Sequence, residues 1–223
     1  MDLVMFGRQG SGKGTQGKYF AERYHLTPFV MGDELRKLAK KDSELGQKIK
    51  SIIEAGHLVS DEVVMEIIGN FMEELPKGTR VIFDGIPRKM GQAEKFDALM
   101  EKNNREFKGV ILDINEETAI RRLTRRRMCS QCKIIFAEDY DQPTCKSCGG
   151  ALESREDDSN MKSIRNRLNA FNQETMPVIE HYRIQGKLIE LNGEPKIDEV
   201  NEEAFPKLDP IFQYPPKYVS HQV

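Results

Sequence analysis

The 223-residue sequence has no uninterrupted apolar stretch near the roughly 18–20 residues that a membrane span needs, and no basic region followed by a long apolar one at its N-terminus. Both absences speak against a membrane or secreted protein, so a soluble, cytoplasmic chain is expected. Net charge is nearly missing as well: 34 Lys and Arg stand against 36 Asp and Glu, which leaves −2 with histidines neutral. The whole-molecule basic field on which non-specific nucleic-acid binders rely is therefore absent, and partners must be read from local charge. His25, His181 and His221 show no spacing for a metal site or a catalytic triad. Cysteine occurs only four times, all between positions 129 and 148, and no internal repeat is visible. What is present suffices for a core. With 38% hydrophobic and 31% charged residues global disorder is excluded, and the length fits one large domain or one with a small insert.

Short apolar runs at residues 1–6, 80–83, 108–112 and 187–191 read as buried strands, with helical patterning between them. Strands alternating with helices predict an α/β fold with a parallel sheet flanked by helices, whose ligands sit at the carboxyl ends of the strands. Amphipathic helices are expected over 33–41, 44–54 and 61–73, the last opened by Ser60 and Asp61, and a long helix over 160–183 with a kink at Pro177. Composition changes from Cys129 to about Asp158, where cysteines and the pair Gly149-Gly150 mark a small insert. Pro206, Pro210, Pro215 and Pro216 predict an extended tail. The expected division is 1–127 and 159–205 for the core, with a helical segment at about 31–60, then 128–158 for the insert and 206–223 for the tail.

Gly7-Arg8-Gln9-Gly10-Ser11-Gly12-Lys13-Gly14-Thr15 fits G-x-x-x-x-G-K, with Gly14 between the lysine and the hydroxyl of Thr15. Glycines let backbone amides converge on phosphate oxygens, the helix start adds its positive end, and Lys13 brings a mobile point charge. Asp84 closes the strand that begins at Arg80, a position from which a carboxylate holds Mg²⁺ directly or through water. Two C-x-x-C pairs, Cys129 with Cys132 and Cys145 with Cys148, lie twelve residues apart. Four thiolates suit tetrahedral Zn²⁺ and fill every position, so the expected metal is structural; disulfides would need an oxidising compartment. Arg121, Arg122, Arg125, Arg126 and Arg127 form a basic run before the insert, in which Arg122 and Arg126 share a helix face and can reach one polyphosphate. A rival reading makes this run an RNA-binding surface of an ATP-dependent zinc protein.

The loop, with its Gly-Thr-Gln extension after Lys13, resembles the phosphate loop of the adenylate kinase family. Gly32-Asp33-Glu34-Leu35-Arg36, Gly56-His57-Leu58-Val59-Ser60-Asp61 and Phe83-Asp84-Gly85-Ile86-Pro87-Arg88 with Gln92 are similar to that family's acceptor segments, and the resemblance runs from Val4 to about Val200. It implies a nucleoside monophosphate kinase with a P-loop core, a helical acceptor segment and a zinc-bearing lid. The implied reaction is reversible, Mg²⁺-dependent phosphoryl transfer from ATP to AMP giving two ADP, by a monomer. In that picture Gly10 through Thr15, Arg122, Arg126, Phe136 and Pro195 hold ATP. Met31, Arg36, His57, Leu58, Val59, Gly85, Arg88 and Gln92 hold AMP, while Arg155 and Arg167 close over both nucleotides. Lys13, Arg88, Arg126, Arg155, Arg167 and Asp84 carry the chemistry, and Asp33 lies near the metal's water shell. Three positions depart from the family pattern: Gln9 replaces a proline, Met31 a threonine and Ile86 a phenylalanine. The Met31 and Ile86 changes keep UMP, CMP or another monophosphate open as the acceptor.

Overall fold

Every residue of Asp2–Phe6 is buried, as a parallel strand covered on both faces must be. The computed structural model describes residues 1–136, 138–155, 158 and 160–214. In chain order its first elements are β1 (Asp2–Phe6), α1 (Lys13–Tyr24), β2 (Thr27–Val30), α2 (Met31–Ala39), α3 (Glu44–Glu54), α4 (Asp61–Glu74), β3 (Val81–Asp84), α5 (Met90–Lys102), β4 (Phe107–Asp113) and α6 (Glu116–Arg125). There follow β5 (Arg127–Cys129), β6 (Ile135–Phe136), β7 (Leu152–Glu153), α7 (Met161–Ala170), a π-helical turn (Phe171–Thr175), α8 (Met176–Ile184), β8 (Leu188–Asn192) and α9 (Ile197–Phe212).

The main sheet is parallel throughout, in the order β2-β3-β1-β4-β8. The first strand is thus central, and the chain crosses to opposite sides of it, which opens a crevice at the carboxyl ends of β1 and β3. Packing covers both faces. One cluster joins Val4, Phe6, Phe29, Phe83, Phe96 and Phe107 to Val178, Ile179 and Tyr182. The opposite one joins Leu3, Met5, Phe20, Tyr24 and Leu112 to Val200, Ala204, Leu208 and Phe212. Asp2 is 2% exposed, yet its carboxylate accepts from the Val81 amide at 2.8 Å and from two Arg105 nitrogens at 2.7 Å, so its charge is compensated.

Three differences from the sequence expectations have physical reasons. The four-residue β2, with Pro28 inside it, carries little strand signal, and its place at the sheet edge is what tolerates a proline. The expected long helix is divided by the π turn at Phe171–Thr175, after which Pro177 opens α8 where its missing N–H matters least. The extended tail expected from residue 206 is helical as far as Phe212, with Pro206 and Pro210 inside α9. Val200, Ala204, Leu208 and Phe212 recur every fourth residue along that helix, and the burial of this stripe outweighs the two lost backbone donors. Residues 215–223 lie outside the described residues.

The insert forms its own antiparallel sheet, β6-β5-β7, over a core of Cys129, Cys145 and Phe136 with Ile134, Tyr140 and Leu152.

A clamp fixes α9 to α1. The Asp209 carboxylate accepts from Arg23 Nε at 2.9 Å, from Arg23 Nη2 at 2.8 Å and from the Tyr24 hydroxyl at 2.8 Å. The Arg23 guanidinium holds the Asp209 carboxyl below the usual carboxylate range, and that same guanidinium lies 4.3 Å from the Phe205 ring centre and 4.2 Å from that of Tyr214. Replacement of Asp209 by alanine strands a partly buried Arg23 and is expected to cost about 1–3 kcal/mol, read as a lowered midpoint in thermal or urea unfolding.

Candidate active site

The segments that follow β1, β2 and β3 wall an open cleft. Gln9, Gly10 and Lys13 come from the phosphate loop, Met31, Leu35 and Arg36 from α2, and Asp84, Gly85 and Arg88 from the turn after β3. Arg126, Arg155, Arg167 and Phe171 close it from the other side.

At the base of the cleft the loop turns into α1 through Gly12, whose φ of 89° places it in the left-handed region that glycine enters at no steric cost. No side chain caps the first turn of α1 and no acidic residue lies in it; the Thr15 amide donates to the Gly12 carbonyl at 2.9 Å, which leaves those of Lys13 and Gly14 to face an anion. Burial lowers the Lys13 ammonium from its ordinary 10.5 to about 8; Asp84 opposes the shift, while Arg88, Arg126 and Arg155 add to it. The cleft thus carries more positive charge than Asp84, the one carboxylate among its described lining residues, offsets, the electrostatic signature of a polyphosphate site.

Asp84, the last residue of β3, has a buried Oδ1 without a hydrogen-bond partner among the described residues, and the Ser11 hydroxyl is in the same state. An orphaned carboxylate oxygen beside a phosphate loop fits a divalent cation held there. Asp33 is less free, since Arg36 Nη2 donates to its Oδ1 at 2.6 Å. On the acceptor side Arg88 is tied down at three points: Nε donates to the Gly85 carbonyl at 2.9 Å, its amide to Gln92 Oε1 at 2.8 Å, and its carbonyl accepts from the Thr175 hydroxyl at 3.1 Å. Gly85, at φ 88°, lies in the left-handed region that a larger residue enters only with strain, and a Cβ there would come within 2.8 Å of the Arg88 guanidinium and oblige it to shift. His57, Leu58 and Val59 line the cleft, as does Met31, which is only 2% exposed and also belongs to the core; Ile86 is 1% exposed.

The basic run is largely spent inside the molecule. Arg122 donates at 2.8 Å to the carbonyls of both Gly193 and Glu194, which ties the segment before Pro195 to the phosphate-loop side of the sheet. Arg121 and Arg125 share Glu138. Arg126 and Arg167 both grip Asp158, whose carboxylate is 1% exposed. Asp158 occupies the place between two guanidiniums that a phosphate would otherwise take. Sequence reasoning named the arginines and missed this carboxylate, although it falls within the Arg-x-Asp-Asp run that starts at Arg155. Arg122 and Pro195 are thus brought together, but neither lines the cleft, and the Phe136 ring is 5% exposed and stacks on Tyr140 at 4.2 Å within the insert.

In the insert the four cysteine sulfurs lie within 4.8 Å of one another, with Cys129 and Cys148 at 3.4 Å and Cys132 and Cys145 at 3.5 Å. Tetrahedral Zn–S bonds of about 2.3 Å separate neighbouring sulfurs by roughly 3.8 Å, so the cluster could hold zinc with little movement.

A phosphate loop opening onto a cleft lined by arginines fits one class: a P-loop kinase that moves a phosphoryl group between two nucleotides, that is, a nucleoside monophosphate kinase. Comparison with known proteins agrees. A family model described as adenylate kinase matches residues 5–187. The adenylate kinase of Novosphingobium aromaticivorans is 36% identical over 205 residues, 90% of this chain and 95% of that protein. The adenylate kinase of Methanocella arvoryzae is 37% identical over 205 residues, 90% of this chain and 94% of its own length. That of Archaeoglobus fulgidus is 35% identical over 216 residues, 95% of this chain and 99% of its own. The chain belongs to the adenylate kinase family.

The lowered Lys13 value fixes the sign of a proton linkage. Near pH 8 the free cleft holds Lys13 about half neutral, and a bound polyphosphate restores the ammonium. ATP binding at pH 8–9 is therefore expected to take up protons and to weaken as pH rises above about 8. Calorimetry in buffers of different ionisation enthalpy reads the uptake, which Lys13→Met removes.

Proposed function

We propose that the protein transfers the terminal phosphoryl group of ATP to AMP, reversibly and with Mg²⁺, giving two ADP. The observation that carries this reading is the convergence of Lys13, Arg88, Arg126, Arg155 and Arg167 on one cleft that Asp84 also lines. Such a transfer asks the protein for in-line positioning, charge stabilisation and exclusion of water, and needs no nucleophilic side chain.

The roles divide by position. The amides from Gly10 to Thr15 receive the phosphates of ATP, and Lys13 follows the transferring group as charge moves onto the leaving oxygen. Arg126, Arg155 and Arg167 neutralise the phosphates from above, with Asp158 released as they turn to the nucleotide. Arg122 and Pro195 shape the donor side through the 193–195 segment, and Phe136 stiffens the zinc lid, residues 128–158. Arg88 grips the acceptor phosphate and the transferring group, and Arg36 assists it on leaving Asp33. Met31, His57, Leu58, Val59, Gly85 and Gln92 enclose the acceptor nucleoside. Mg²⁺ bound with ATP offsets the charge of the β- and γ-phosphates. Asp84 is the residue that would hold it, since its Oδ1 is buried and unpartnered among the described residues. Closure of the lid over the donor excludes water from the reacting groups.

One observation favours a second acceptor. Met31 lines the cleft without a hydroxyl, which supports UMP or CMP as alternatives. ADP formation from ATP and Mg²⁺, measured in parallel with AMP, UMP, CMP, GMP and no acceptor, separates the two. Strong turnover with AMP alone is expected; turnover with a pyrimidine monophosphate moves the substrate and keeps the mechanism, and acceptor-independent hydrolysis refutes the kinase reading. The four thiolates are proposed to hold one structural zinc. Metal analysis should find one per chain, and its removal by a chelator should lower the unfolding midpoint.

A further inference from the structure

The wall of the cleft at Gln92 contains a polarity lock. Gln92, on α5, is 3% exposed and lines the cleft. Its Oε1 accepts from the Arg88 amide at 2.8 Å, and its Nε2 donates to Asp61 Oδ1 at 2.9 Å. Asp61 is the first residue of α4, is not among the cleft's lining residues, and has Lys89 Nζ at 3.9 Å from the same oxygen. A backbone N–H only donates and a carboxylate only accepts, so neither neighbour tolerates the Gln92 amide turned by 180°.

A primary amide offers two lone pairs and two N–H groups. One of each is spent on Arg88 and Asp61, which leaves one acceptor and one donor on adjacent atoms with fixed polarity. That pair complements an exocyclic amino group beside a bare ring nitrogen, as in adenine or cytosine. It opposes a carbonyl beside a ring N–H, as in hypoxanthine, guanine or uracil. A free amide would flip to suit either class. We propose that Asp61 is a positioning residue that locks the Gln92 amide in the state selective for amino-bearing bases, so that the cleft favours a 6-aminopurine over its 6-oxo counterpart, and a 4-aminopyrimidine over the 4-oxo one, whatever its absolute turnover with pyrimidines. The proposal rests on the reading of Gln92 as a contact to the acceptor base.

The test compares kcat and KM for AMP against IMP, and for CMP against UMP, in the full chain and in Asp61→Ala, Asp61→Asn and Gln92→Leu. Asp61→Ala is expected to raise KM for AMP about tenfold and to cut the AMP-over-IMP ratio of kcat/KM at least tenfold, with KM for ATP changed by less than about twofold. Asp61→Asn, whose amide oxygen accepts the same bond, is expected to restore most of the preference. Should the alanine variant fail to fold, Asp61→Glu keeps the charge at the helix start but displaces the acceptor oxygen, and the same loss is expected. If Asp61→Ala leaves the ratio unchanged while Gln92→Leu lowers it, Asp61 does no more than begin α4 and the proposal falls alone. If Gln92→Leu leaves it unchanged too, the reading of Gln92 as the base contact falls with it. A wild-type protein that accepts IMP as readily as AMP overturns the lock at once.

Discussion

Repulsion among like charges is the constraint around which the molecule is organised. Lys13, Arg88, Arg126, Arg155 and Arg167 border one cleft; Lys13 and Arg88 follow the paired strands β1 and β3, which hold them side by side. The cleft meets this repulsion in two ways. Arg88, Arg126 and Arg155 add to the burial that already makes Lys13 easier to deprotonate, and Asp158 sits between Arg126 and Arg167. Each measure is provisional, because a polyphosphate relieves the repulsion better than either. Charge crowding of this kind favours binding of an anion, which relieves it directly.

Geometry around this charge comes from backbone groups more than from side chains alone. Arg88 is fixed by the Gly85 carbonyl and by its own amide and carbonyl, and Arg122 by two carbonyls of the segment after β8. A guanidinium held by main-chain oxygens keeps its place when neighbouring side chains are redrawn.

How much of this was readable beforehand follows from the range of each interaction. Glycines and a lysine at fixed spacing announce a phosphate loop because the motif is local, and the paired C-x-x-C knuckles announce a metal lobe for the same reason. The strands 1–6, 80–83, 108–112 and 187–191 were legible since a parallel strand buried on both faces leaves an unbroken apolar run. By contrast, β2 rests on pairing with β3, the helix through Pro206 and Pro210 rests on contacts with Leu3 and Phe20, and the Gln92 bond reaches Asp61 across 31 residues. Those features depend on contacts between distant parts of the chain, and local propensity argues against two of them. The arginine run shows the opposite failure: its charge was plain, but the partners that absorb it, Glu138, Asp158 and two carbonyls, come from other segments.

The packing of α9 also governs when the protein can become itself during synthesis. Leu3, Met5 and Phe20 leave the ribosome first, yet the stripe that covers them, from Val200 to Phe212, comes almost last. Until that stripe is made, one face of the central strand is covered by α1 alone, and the rest of its apolar surface is exposed to neighbouring nascent chains. The helix with two prolines is therefore a closing act: a chain interrupted before residue 200 would carry an intact nucleotide motif on a sheet whose second face has only α1 to cover it.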